Sequence, residues 1–169
     1  SSTATAAQYS LEGAKRYLFD TGCGYDLTSW QNDIDPDMVR DATNPIAFET
    51  ANGTYQCDKV VDTQVLALGE NIEPYVMLDA HDVLSVGYRC QRKGYGVHWE
   101  PWSDTPYLIL PETGERIDLV SEDCCPYLYD NVPGDGTFNV AAVAAKKATA
   151  VPGILKTTSL PVVIAAQAA

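Results

Sequence analysis

An aspartate closes an apolar run at Tyr17-Leu18-Phe19-Asp20, and Thr21 and Gly22 follow it. A carboxylate at the end of a buried strand is costly, because an unpaired buried charge must be compensated or give up its ionisation. A chain that keeps one there uses it, and a carboxylate so held is equipped to take and give a proton. Its neighbours suit that task. Thr21 is short and β-branched, so it keeps the strand extended and can hydrogen-bond to a partner strand. Gly22 lets the chain turn with no Cβ in the way, so its N–H can point at a carboxylate. Cys23 is small and apolar enough to pack beneath. The triplet also suits a plain turn, since Asp and Gly are common turn residues. The surrounding elements have to decide.

A strand over about 16–20 must position Asp20, and Tyr25, Leu27 and Trp30 alternate after the glycines as a second short strand. Residues 32–44 carry Asp33, Asp35, Asp37 and Asp41 with Pro36, which predicts a solvated loop with a helical turn starting at Pro36. Two β-prone runs, 45–51 and 54–61, flank Asn52-Gly53, the strongest short hairpin signal. The second run continues as a strand through Ala67, Gly69-Glu70-Asn71 breaks it, and 72–78 forms another. Residues 82–94 predict a short helix with Asp82 as cap, basic residues in the last turn and Gly94 as stop. A strand over 95–99, a turn over 101–105 and a hairpin of 107–110 with 115–120 complete the pattern, and 124–128 ends the ordered part.

The 169 residues, 46% hydrophobic and 20% charged, suit one globular domain with a real core. The chain begins at Ser1 without methionine, which implies a piece of something longer. Residues 1–13 read as a flexible arm without the basic start or apolar stretch of a secretory signal. From Val132 the composition shifts to Ala, Val, Thr and Lys, so 132–169 reads as an Ala-rich linker or tail and 14–131 as the domain. No apolar run approaches membrane-spanning length, so no membrane partner is expected.

A net charge of −12 argues against a surface that holds nucleic-acid phosphates and reads as solubility. The cysteines, Cys23, Cys57, Cys90, Cys124 and Cys125, are odd in number and contain no Cys-x-x-Cys. The adjacent pair makes a poor tetrahedral zinc site with His81 or His98, so free thiols in a reducing compartment are expected. Asn52-Gly53-Thr54 matches a glycosylation acceptor, which matters only in a secreted protein, and reads as a turn. Neither histidine lies near a nucleophile motif, and Trp99 and Trp102 read as core or dimer packing.

Phe19-Asp20-Thr21-Gly22-Cys23 resembles the signature of aspartic proteases, with Cys23 where a small residue such as alanine is usual. The glycine-tipped hairpin, Val83-Leu84-Ser85-Val86 and Lys93-Gly94-Tyr95-Gly96-Val97 follow in order. Over roughly residues 14–120 the chain resembles the protease of copia-type retrotransposon polyproteins, a branch of the retropepsins, with Ser85 in place of a glycine usual in viral members.

The resemblance implies an all-β retropepsin-like protomer with one short helix, closed by homodimerisation. Asp20 would be the catalytic acid, one of two carboxylates, one per chain, that share a proton and hold a water. Thr21 and Gly22 would complete the loop, Ala51, Asn52, Gly53 and Thr54 would form the substrate-binding tip of a flap, and Leu84 and Val86 would pack behind the loop. The implied activity is hydrolysis of peptide bonds in the chain's own polyprotein, without metal or organic cofactor, in the cytoplasm or in virus-like particles. The flap departs from the viral pattern in lacking several glycines, and the tail has no counterpart. The rival reading is a retropepsin-like domain kept as an inactive dimerisation or binding module, against which the intact Asp20-Thr21-Gly22 argues.

Overall fold

Residues 14–32, 34–50 and 53–130 are described by the computed structural model, which is mostly β-sheet. The expected arm and tail lie outside the described residues, as do Ala51 and Asn52. Strand β1 is Lys15–Asp20, β2 Leu27–Ser29, β3 Val39–Thr50, β4 Gly53–Val61, β5 Thr63–Val65, β6 Glu70–Ile72 and β7 Tyr75–Met77. Then come β8 (Val83–Ser85), the single helical turn α1 (Val86–Tyr88) continuing as a wider turn over Arg89–Lys93, and β9 (Gly96–His98). Strands β10 (Tyr107–Ile109), β11 (Arg116–Asp118), β12 (Val120–Glu122) and β13 (Cys125–Asp130) follow.

Eight strands form one sheet in the order β12-β13-β1-β8-β2-β7-β4-β3, while β11-β10-β9 and β5-β6 form two smaller sheets. Strand β8 is inserted between β1, to which it runs parallel, and β2, to which it runs antiparallel. The helix expected over 82–94 therefore starts later. Val83, Leu84 and Ser85 are buried, with Leu84 in a core cluster beside Tyr17 and Phe19 and Val83 in a second cluster with Leu27 and Met77. Burial on both faces favours a central strand over continued helix. Ser85, not Asp82, caps the helix, its Oγ accepting the Tyr88 N–H at 3.2 Å. Gly94 ends it with φ +75°, as expected.

Other boundaries shift for similar reasons. Residues 39–44 are strand rather than loop, because β3 pairs with β4 from Val39, with an irregularity between Asp41 and Ile46 around Pro45. Glu70–Ile72 is a strand, not a break, since β6 pairs with β5 across a short turn that ends at left-handed Gly69. Trp102 is fully exposed in a turn and Trp99 half-exposed, so neither belongs to the core. At the far end of β13, buried Asp130 accepts the N–H groups of Leu66 and Ala67 at 3.0 and 2.7 Å, which fixes that end of the strand.

Candidate active site

Asp20 is the last residue of β1 and stands opposite Ser85 in the parallel β1–β8 ladder. Its side chain lies on the face of β1 opposite Tyr17 and Phe19, the two residues that enter the core, and it is partly exposed. The Gly22 N–H donates to Asp20 Oδ1 at 2.7 Å, the bond expected of a glycine two residues on. Thr21 and Gly22 are exposed. Cys23 packs underneath, 2% exposed, in a cluster with Leu27, Phe48, Cys57, Met77 and Val83.

Ser85 holds this loop. Its Oγ donates to the Cys23 carbonyl at 2.7 Å, and its N–H donates to Asp26 Oδ1 at 2.7 Å. Asp26 in turn receives two bonds from the fully buried Arg89, at 2.7 and 3.1 Å. Arg89 Nε lies 3.2 Å from Glu70 Oε2 without the alignment of a hydrogen bond, and Lys93 pairs with the other Glu70 oxygen. Two carboxylates and two cations thus form a neutral, mostly buried cluster behind the loop. Burial alone would lower the Arg89 pKa, but the bond to Asp26 and the charges of Asp26 and Glu70 outweigh it and hold the guanidinium above its ordinary range.

Asp26, Arg89 and Glu70 were not legible as a group, being separated by up to 63 residues. The one local signal is the four-residue step from Ser85 to Arg89, which on a helical turn brings Arg89 Nη1 to the Ser85 carbonyl at 3.3 Å.

The hairpin expected to be a flap is β3–β4, and its base rests on the cluster beneath the loop. Phe48 and Cys57 are buried there, and the rings of Tyr25, Phe48 and Tyr75 meet edge to face at centroid separations of 5.6 to 6.5 Å. Thr50 pairs with Gly53, so Gly53 opens β4, with φ +115°, instead of sitting within the turn. Gly53 and Thr54 are exposed, and Ala51 and Asn52 lie outside the described residues. The base is anchored, with Tyr55 packed against the same cluster, so among the described residues Glu49, Thr50, Gly53 and Thr54 lie beyond the anchor. Amides of Glu49 and Thr54 should exchange hydrogen faster than those of Tyr17 to Phe19 and slow when a groove ligand binds. Equal protection in both segments, unmoved by ligand, would count against a flap.

Two clefts open nearby, one of about 390 Å³ beside Gly24, Tyr25 and Asp26, the other of about 530 Å³ between Glu70 and the 110–113 turn; Asp20 lines neither. Among the described residues no group of three or more His, Cys, Asp or Glu side chains could hold a metal ion, and no helix is long and apolar enough to cross a membrane.

All five cysteines are free thiols. Burial pushes Cys23 and Cys57 up to about 11 from the ordinary 9.0. Unfolded thiols therefore ionise first, so these two groups should make folding stability fall as pH rises from about 9 towards 11. Denaturation curves across that range check this; no fall, or a rise, would contradict the assigned burial. Comparison with protein-family models, curated proteins and solved structures returns no match.

Proposed function

We propose that this chain is one protomer of an aspartic endopeptidase that processes its own retrotransposon polyprotein. The observation that carries the reading is the held loop: Asp20 ends a core strand, accepts the Gly22 N–H at 2.7 Å, and is braced from behind by Ser85 and Asp26. A carboxylate placed this way on a chain with one Asp-Thr-Gly is half of a general acid–base pair. A second copy brings the other half. The β3–β4 hairpin, rooted in the same apolar cluster as the loop, supplies the cover over a bound peptide.

The test is hydrolysis of a generic unfolded protein by the purified chain, blocked by a hydroxyl-bearing peptide mimic of the tetrahedral intermediate. Dimerisation without hydrolysis would favour an inactive binding module instead. Each chain carries −12, and the mutual repulsion is screened beyond about 8–10 Å near physiological salt. Sedimentation should accordingly show the dimer strengthening as salt rises. A chain that stays monomeric at every salt concentration and still cuts would end the two-chain reading.

A further inference from the structure

The cleft of about 530 Å³ between Glu70 and the 110–113 turn has the size and lining of a ligand site, and Asp20 has no part in it. Both of its sides are held. The Leu110 N–H donates to the Glu115 carbonyl and the Gly114 N–H to the Leu110 carbonyl, each at 2.9 Å, and the Thr113 hydroxyl accepts the Glu115 N–H at 3.1 Å. Across from that turn, β5 pairs with β6, and the turn between them, which carries Leu68, is fixed at its start by Asp130. Neither side has to fold around a ligand, so little ordering opposes binding.

The lining combines apolar walls with charged groups. Leu68, Leu110 and Pro111 supply aliphatic surface. Glu70, 8% exposed, and the buried Tyr95 stand together, the Tyr95 hydroxyl donating to Glu70 Oε2 at 3.4 Å. Burial, and then the charges of Glu70 and Glu112 against that of Arg89, raise the Tyr95 hydroxyl above its ordinary range, so both carboxylates act on it. Glu112 is exposed and has no cation paired with it among the described residues. Lys93 is the one cation among the described residues that lines the cleft, and it is paired with Glu70. Two carboxylates, one ammonium and aliphatic walls suit a ligand that carries a cation on an apolar stem.

We propose that this cleft binds a guanidinium on a short aliphatic stem, the chemistry of an arginine side chain. The stem lies along Leu68, Leu110 and Pro111, and the planar head meets Glu70 and Glu112 beside Tyr95. A guanidinium suits two carboxylates better than an ammonium does, because its donors fan out in one plane and it is more weakly hydrated. Lys93 gives way to it. Lys93 also lines the neighbouring cleft, where Asp62 and Glu73 stand and where its Nζ already lies 5.5 Å from the Tyr88 ring centroid. The incoming cation takes the place of Lys93 on Glu70 while Arg89 stays, so the buried carboxylate is never left unpaired. The site needs neither Asp20 nor a second chain.

The experiment titrates the full chain with butylguanidinium and follows the backbone amides by NMR. Saturable shifts at Leu68, Glu70, Lys93, Tyr95 and the 110–115 turn, with a Kd of about 1 mM or tighter, are the expected result. Guanidinium without a stem and butanol without a charge should each bind at least roughly tenfold more weakly, and butylammonium more weakly than butylguanidinium. Glu112→Gln should weaken binding at least about tenfold, the worth of a charge-assisted hydrogen bond. Glu115→Gln, an exposed acid of the same turn that lines neither cleft, should bind like the parent. Lys93→Met removes the competing ammonium and should bind more tightly. A capped Gly-Arg-Gly peptide that shifts the same amides assigns the site to an arginine of a polypeptide, whereas binding of butylguanidinium alone assigns it to a free small guanidine. No saturation, shifts spread evenly over the acidic surface, equal binding of stemless guanidinium, an unchanged Kd in Glu112→Gln, or weaker binding by Lys93→Met would each overturn the proposal.

Discussion

Asp20→Asn should abolish peptide cleavage while leaving the pairing of two chains at least as strong as in the parent. In the proposed two-chain site one Asp20 carboxylate would act as general base and its counterpart as general acid, the division of roles for which aspartic proteases are the standard case. The first would take a proton from a bound water as that water attacks the peptide carbonyl, and the second would donate to the carbonyl oxygen. Asparagine is nearly isosteric and can still accept the Gly22 N–H that Asp20 Oδ1 now receives at 2.7 Å, so the loop should keep its shape. It can neither accept the water's proton nor share one, and it removes a repulsion between the chains. A loss of at least roughly 10³-fold in hydrolysis is expected from removing general acid–base chemistry. Dimer affinity and hydrolysis should be measured on one preparation: retained hydrolysis would show that Asp20 is not the acid, and lost pairing would show that the substitution disturbed the loop.

Much of what places Asp20 was legible because it is local. The apolar run Tyr17-Leu18-Phe19 predicts a strand, the glycine two residues after Asp20 predicts the N–H it accepts, and Asn52-Gly53 predicts a hairpin, all from side chains within a few positions. The errors came where distant residues decide. Val83-Leu84-Ser85 carries the start of a helical pattern, yet it is drawn into the sheet because β1 and β2 present hydrogen-bonding edges on either side and apolar clusters on both faces. Residues 39–44, read as part of a loop from the acids of 32–44 and Pro36, become strand because β4 lies alongside to pair with them. The bracing cluster was invisible for the same reason. Nothing in the spacing of Asp26, Glu70 and Arg89 says that they meet, and a buried ion pair leaves no periodicity behind.

That cluster carries the largest expected effect on stability. Arg89 is fully buried and is the only cation bridging Asp26 and Glu70 among the described residues; Lys93, 30% exposed, reaches Glu70 alone. Arg89→Met keeps much of the side-chain volume and deletes the charge. Asp26 then loses its cation and Glu70 keeps Lys93 alone, and breaking a buried pair from one side costs about 3–5 kcal/mol. Against a typical domain stability of about 5–15 kcal/mol that is a large share, so the urea midpoint should fall steeply. Arg89→Lys keeps the charge but presents a point where a planar fork spans two carboxylates, so it should lose less than Met and more than a surface change. Adding Asp26→Asn and Glu70→Gln to Arg89→Met removes the orphaned charges and should recover part of the loss, because an intact buried pair is itself only weakly stabilising. Recovery of stability should not restore hydrolysis fully, since Asp26 also accepts the Ser85 N–H at 2.7 Å and the stronger carboxylate acceptor would be gone from the loop that carries Asp20. A midpoint for Arg89→Met within about 0.5 kcal/mol of the parent, the range of ordinary surface substitutions, would mean that the loop is held by Ser85 and apolar packing alone.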